Sequence, residues 1–213
     1  MTKALTAFYD YLLPQLPGCT PALVDIELKE VLRDYCETSR CWREELAPIA
    51  AQAGVAQYPL APTSSKTEVV GLLSMTEGAV LRWSASEPRL DVAQPVADVP
   101  AATYAPGQPP FAVSPDGVFI TFDPPPTDTV LLTGWIRPQR SITSVPDFLF
   151  DEHLGVIRAG VLARLQAMGG KPWTDLQGAQ RNEALYTART HLHATNAARG
   201  RSRAPLRTRA TLI

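Results

Sequence analysis

Apolar residues recur every three or four positions at both ends of this chain and every second position in its middle. Near the N-terminus, Ala4, Leu5, Phe8, Tyr9, Leu12 and Leu13 keep helical spacing, until Pro14, Pro17 and Gly18 stop it. Thr20 then stands as an N-cap before Pro21, whose missing N–H has no intrahelical partner at a first helical position. Val24, Leu28, Val31, Leu32, Tyr35, Ser39, Trp42 and Leu46 extend the stripe, with Glu27, Glu30, Arg33, Asp34, Glu37 and Arg40 on the opposite face. The pattern predicts an amphipathic helix of about seven turns.

Pro48 and Gly54 mark the change of period. "VAQYPL" opens a run of short strands. "TEVVGLLSM" and "AVLRWSA" are joined by the turn signal "TEG", "FAV" and "VFITFD" by "SPDG", and "TVLLTGWIR" follows the turn cluster "DPPPTD". Residues 90–110, rich in Pro, Ala and Val, read as an extended excursion. Six or so short strands with tight connections suit an antiparallel sandwich or half-barrel.

Helical spacing returns at Pro146, with Leu149, Leu154, Ile157, Val161, Leu162, Leu165 and Met168 on one face. Asp147, Asp151 and Glu152 lie in its first turns, where the helix dipole favours negative charge. Gly169-Gly170 ends it, "KPW" turns a corner, and a last helix follows with Leu185, Ala188 and Leu192 expected inward. From Gly200 the pattern is lost. The early helices lack enough apolar partners without the late ones. The expected fold is therefore α+β: a discontinuous antiparallel helical bundle from residues 1–52 and 146–199, an inserted antiparallel β-sandwich-like domain at 53–145, and an extended C-terminal arm at 200–213. Trp42 and Leu46 are expected buried against the helix at 154–168, and Trp173 in the core or a subunit interface.

Composition changes this picture in one respect. The chain has 213 residues, 45% hydrophobic, with 20 prolines gathered mainly between Pro48 and Pro146, where strand edges and loops tolerate them. Its net charge is −1, but no acidic residue follows Glu183, and six arginines stand at 189, 199, 201, 203, 207 and 209. The body is acidic and the tail basic, an asymmetry that suggests an arm meeting an acidic partner, protein or nucleic acid. Cys19, Cys36 and Cys41 do not make a disulfide framework and fit a reducing compartment. The N-terminus is a poor signal peptide, and no stretch nears the roughly 18 apolar residues of a membrane span.

No reactive constellation emerges. There is no phosphate-binding glycine loop, zinc pattern or nucleophile elbow. Cys36 and Cys41, read as helix residues, face different ways. His191 and His193 point about 200° apart on a helix and do not easily share one ion. Asp151-Glu152-His153 reads as helix-start charge rather than an acid–base site. No catalytic residue, cofactor or metal is expected. The arginine tail has three readings: a solvated tail, a docking arm, or a nucleic-acid contact without aromatic stacking.

The order of elements resembles the head-to-tail adaptor proteins of tailed bacteriophages, the group that includes the tail tubular protein A of short-tailed phages. The likeness rests on "WREELAPIAAQAGVAQYPL", on a β insertion of this length, and on "LGVIRAGVLARLQAMGGKPWTDLQGAQRNEALYTARTHLHATNAARGR" with its "KPW" corner and arginine-rich end. It implies a virion structural protein made in the host cytoplasm and sited at the head–tail junction. It implies a homo-oligomeric ring, usually a dodecamer, with the portal above, a tail nozzle or other tail protein below, and a channel through which DNA passes without sequence-specific binding. Neither enzyme activity nor membrane contact is implied. In that setting Arg199, Arg201, Arg203, Arg207, Arg209, Leu212 and Ile213 are the expected portal-docking residues. The alternative is a soluble nucleic-acid-binding protein that uses the same arginines.

Overall fold

In the computed structural model, which describes residues 1–78, 80–84, 110–114 and 117–199, the N-terminal helical pattern does not begin as a helix. Thr2–Ala4 is a strand, β1, paired antiparallel with β9 (Ser144–Pro146), Thr2 opposite Pro146. Two 3-10 turns, Leu5–Phe8 and Leu13–Gln15, flank a single α-turn, α1 (Tyr9–Leu12). Pairing with β9 takes up the backbone of Thr2–Ala4, and Pro14 and Pro17 end the α-turn behind it, so the expected helix at 3–13 is cut short at both ends. Its apolar positions still point inward: Leu5, Phe8, Leu12 and Leu16 are buried.

The next element forms as expected at its start. Thr20 accepts a hydrogen bond from the Leu23 N–H at 3.4 Å, and Pro21 opens α2 (Pro21–Ser39). Val24, Leu28, Val31, Leu32 and Tyr35 are all buried. The end differs from the expectation. Arg40 takes the left-handed conformation (φ +52°), and its N–H closes the helix on the Cys36 carbonyl. Beyond it, β2 (Arg43–Glu45) pairs antiparallel with β8 (Val130–Pro138), Arg43 opposite Trp135. The Leu46 N–H bonds the Leu132 carbonyl at 2.8 Å, and Ile49 and Val130 exchange hydrogen bonds. Strand pairing thus satisfies the backbone that helix would have served, so Trp42 and Leu46 are not helix residues. The chain divides into two compact units, one of Met1–Trp42 with the chain from Arg137 onward, the other of Arg43–Ile136. The first unit leaves the chain after Trp42 and takes it up again at Arg137.

In the second unit, β2, β8, β4 (Thr67–Glu77) and β5 (Val80–Ser84) lie side by side in that order. A three-stranded sheet runs β3 (Gln57–Pro59), β7 (Phe119–Phe122), β6 (Phe111–Val113). The pairs β4/β5, β3/β7 and β6/β7 are antiparallel, so the "TEG" and "SPDG" signals do join hairpins. Leu46, Ile49, Leu72, Met75, Val130, Leu132 and Ile136 are buried, as are Tyr58, Ile120 and Phe122. Gly134 lets two backbones close: a Cβ there would stand 2.9 Å from the Gly71 carbonyl oxygen. Glu77 ties down the turn before β8, accepting from the Thr127 and Asp128 N–H groups at 2.7 and 3.3 Å and from Arg82 Nε at 3.1 Å. Burial pushes its carboxyl pKa up, but these bonds outweigh that and hold it low. The expected excursion at 90–110 lies, except for Pro110, outside the described residues, as does the arm at 200–213.

The helical return at Pro146 is broken once. α3 (Asp147–Asp151) stops, and α4 (Leu154–Gln166) starts after His153, whose backbone leaves helical geometry. α4 is buried nearly all round, from Val156 to Gln166, with only Arg158 and Arg164 reaching outward. α5 (Leu176–Arg199) follows, and α2, α4 and α5 each touch the other two. Gly160 is the tight point. A Cβ there would lie 2.8 Å from both Tyr186 Cδ2 and Val31 Cγ1. Gly160→Ala gains ~1 kcal/mol of helix propensity but crowds two neighbours, which costs about 1–3 kcal/mol. The expected result is a lower urea midpoint; a raised one would mean that Tyr186 swings away freely.

Candidate functional site

α5 is the helix that leads into the arginine tail, and its surroundings decide what it can present. At about 1.5 Å per residue its 24 residues span roughly 36 Å. The KPW corner sets its start. Thr174 donates to the Met168 carbonyl, and the Asp175 carboxylate accepts from the Gly178 N–H at 2.9 Å, as an N-cap does. Trp173 in that corner is half-buried, its indole N–H enclosed with no hydrogen-bond partner among the described residues.

The inward face of α5 is not the expected one. Ala179 and Thr190 are buried, and Asn182, Tyr186 and His193 are half-buried, three or four residues apart. Asn182 Nδ2 donates to Gln166 Oε1 at 2.9 Å, Tyr186 lies on Gly160, and His193 Nδ1 meets the Tyr35 hydroxyl at 2.6 Å. Burial pushes the Tyr186 hydroxyl pKa above its ordinary range, with Asp34 adding to the shift. Leu185, Ala188 and Leu192, expected inward, face water, with Leu185 and Leu192 39% and 56% exposed. Asn182, Tyr186 and His193 each find a specific partner on this face, while the Thr190 hydroxyl is enclosed with no hydrogen-bond partner among the described residues. The leucines have no partner among the described residues. Arg181 and Arg189 flank them and make no ion pair among the described residues.

The acidic face of α2 is largely neutralised within the helical unit. Lys29 pairs with Asp25 at 2.7 Å, Arg140 with Glu30 at 2.6 Å and Arg137 with Glu37 at 2.5 Å, while Arg164 reaches both Glu27 and Asp34. Arg33 donates to the Pro138 carbonyl at 2.8 Å. These partly exposed pairs contribute little stability each. Arg181 and Arg189 of α5 are not drawn into these pairs.

The remaining sequence candidates are placed as follows. Arg199 is the last residue of α5; Arg201, Arg203, Arg207, Arg209, Leu212 and Ile213 lie outside the described residues. Trp42 and Leu46 are buried, Leu46 within the β unit, where its methyl stands near Gly134. His191 is exposed and His193 turns inward. Asp151 and Glu152 are exposed, while His153 is half-buried with Nδ1 2.9 Å from the Tyr35 hydroxyl. Cys36 and Cys41 do not face apart. The left-handed turn at Arg40 folds Cys41 back, so that the two thiols lie close enough to shift each other's pKa, that of Cys36 upward and that of Cys41 downward. Both are free. Among the described residues no group of three or more His, Cys, Asp or Glu side chains could hold a metal, and no helix is long and apolar enough to cross a membrane.

No curated protein matches the chain. Residues 18–209 match the family model described as SU10 adaptor protein, an alignment that takes in α2, the whole β unit and α3 to α5. The chain therefore belongs to the SU10 adaptor protein family, a family of phage head-to-tail adaptors and so of structural virion components.

Proposed function

We propose that this protein forms a ring beneath the portal, joins the DNA-filled head to the tail and lines the channel through which DNA passes. The observation that carries the reading is the family match over residues 18–209. In this reading the N- and C-terminal helices form one discontinuous bundle, the β insert is sandwich-like, and the tail nozzle or another tail protein docks below. The arm from Arg199 to Ile213 docks on the portal. Two features support an assembled state. Leu185 and Leu192 expose apolar surface that a monomer leaves in water, flanked by the unpaired Arg181 and Arg189. A contact between this face and a different face of the next copy is heterologous, and such contacts make a ring when the rotation between copies closes. The body to Ala188 is net acidic, which lets DNA phosphates pass without being held.

Native mass measurement of the full chain with and without portal tests this. A complex of about twelve copies on the portal is expected, and no complex at all would end the ring reading. Leu185→Asp with Leu192→Asp should leave helix content unchanged by circular dichroism and lower the number of copies bound. An unchanged copy number would place the subunit contact elsewhere.

A further inference from the structure

Tyr35, fully buried on α2, sends its hydroxyl between two imidazoles. His153, at the start of α4, places Nδ1 at 2.9 Å from it, and His193, on α5, places Nδ1 at 2.6 Å. The two imidazole rings are 4.9 Å apart between centroids, and Phe148 closes edge-on over His153. A phenol has one proton. It can donate to one Nδ1 only, so the other imidazole must carry its proton on Nδ1 and donate to the phenol oxygen. The neutral trio is therefore complete with two different tautomers. Adding protons breaks this arrangement: both Nδ1 atoms then become donors aimed at one oxygen, and two positive charges face each other across rings whose centroids are 4.9 Å apart.

The position of the trio gives it leverage. Beyond Thr190, the only half-buried side chains described on α5 are His193, Ala194 and Ala197. Two of these are small, and the imidazole makes a long-range side-chain hydrogen bond from this end of the helix to Tyr35.

We propose that Tyr35, His153 and His193 form an acid-sensitive clasp that holds the end of α5, and hence the root of the arginine tail, to α2 and the start of α4. The surrounding groups push the same way on balance. Burial lowers the His153 pKa, the neighbouring His193 lowers it further, and exposed Glu152 opposes. Burial lowers the His193 pKa, and Arg189, one turn earlier, adds to it. From the other side the clasp meets the neutral Tyr35 and the Cys36 and Cys41 thiols at the end of α2; Tyr186 lies two turns back on α5. The sign follows. A histidine whose folded pKa lies below its ordinary 6.5 takes up its proton more readily when released. The clasp is therefore fully closed above about pH 6.5 and weakens as pH falls below it.

Amide hydrogen exchange of the full chain at pH 7.5 and pH 5.0, corrected for intrinsic rates, tests this. Protection of residues 191–199 should fall about tenfold at the lower pH, while residues 179–186 stay protected. In His193→Gln, which keeps a neutral hydrogen-bonding group, the pH dependence of 191–199 should shrink to less than about threefold. In the unmutated protein, the His153 and His193 imidazole resonances should titrate below the ordinary histidine range. Equal protection of 191–199 at both pH values overturns the clasp, as does an unchanged pH dependence in His193→Gln. So does ordinary titration of His153 and His193, a result that needs no variant to fold.

Discussion

Removing residues 200–213 is expected to leave the fold intact and to abolish attachment to DNA-filled heads. The fold should survive because the contacts that fix α5, from the Asp175 cap to His193, all lie before the deletion point. Attachment should be lost because the segment holds four of the chain's arginines, Arg201, Arg203, Arg207 and Arg209, mostly alternating with small or polar residues and with no acidic residue among them. Guanidinium groups bind carboxylates through two parallel hydrogen bonds, so an acidic portal surface is a fitting dock. Leu206, Leu212 and Ile213 add apolar anchors that a purely phosphate-binding tail does not need. Replacing the four arginines by lysine should give an intermediate defect, because charge is kept while the planar fork is lost. The measurement is the fraction of filled heads that carry the protein and retain DNA. Normal attachment of the truncated protein would remove the arm as the dock. If the truncation instead abolished binding of the free protein to DNA and spared attachment, the nucleic-acid-binding reading would take its place.

Where the sequence could be read and where it could not follows from how local each determinant is. Thr20-Pro21 and the stripe from Val24 to Tyr35 need no distant partner, and α2 begins and packs as its spacing requires. The hairpins at "TEG" and "SPDG" are equally local. The end of α2 is different. Residues 42 to 49 can be apolar every fourth position or can pair with a strand, and the choice falls to Val130–Pro138, some ninety residues away. The inward face of α5 is set by equally distant partners. Leu185 and Leu192 carry the strongest apolar signal, yet Asn182, Tyr186 and His193 win the inward face through Gln166, Gly160 and Tyr35. None of those partners is visible from within the helix. The trio of Tyr35, His153 and His193 likewise joins residues 118 and 158 positions apart, beyond any motif. The meeting of Cys36 and Cys41 was hidden by one backbone angle, the positive φ of Arg40.

Trp42→Ala should be the most damaging single truncation among the residues singled out from sequence. Its indole is 8% exposed, and it stands at the end of the helical unit, just after the left-handed residue that closes α2. Emptying the site of a buried tryptophan costs about 3–5 kcal/mol, because the lost transfer energy is joined by an unfilled cavity. For a chain of this size that lowers the melting temperature by roughly 6–20 °C. Trp42→Phe should cost much less, since most of the buried volume is kept. The surface it covers can be argued further. α2 and α4 run in opposite directions: Val31 meets Gly160 while Tyr35 meets His153. The chain leaving α2 therefore emerges beside the start of α4, which makes Leu154 the expected partner of the indole within the expected face at 154–168. A double-mutant cycle of Trp42→Ala with Leu154→Ala should then give a coupling of about 0.5–3 kcal/mol. A coupling near zero alongside a large Trp42→Ala loss would keep the tryptophan in the core but move it off α4. An unchanged melting temperature would remove it from the core altogether, and with it the reason why the helical pattern can end at Arg40 without loss of packing.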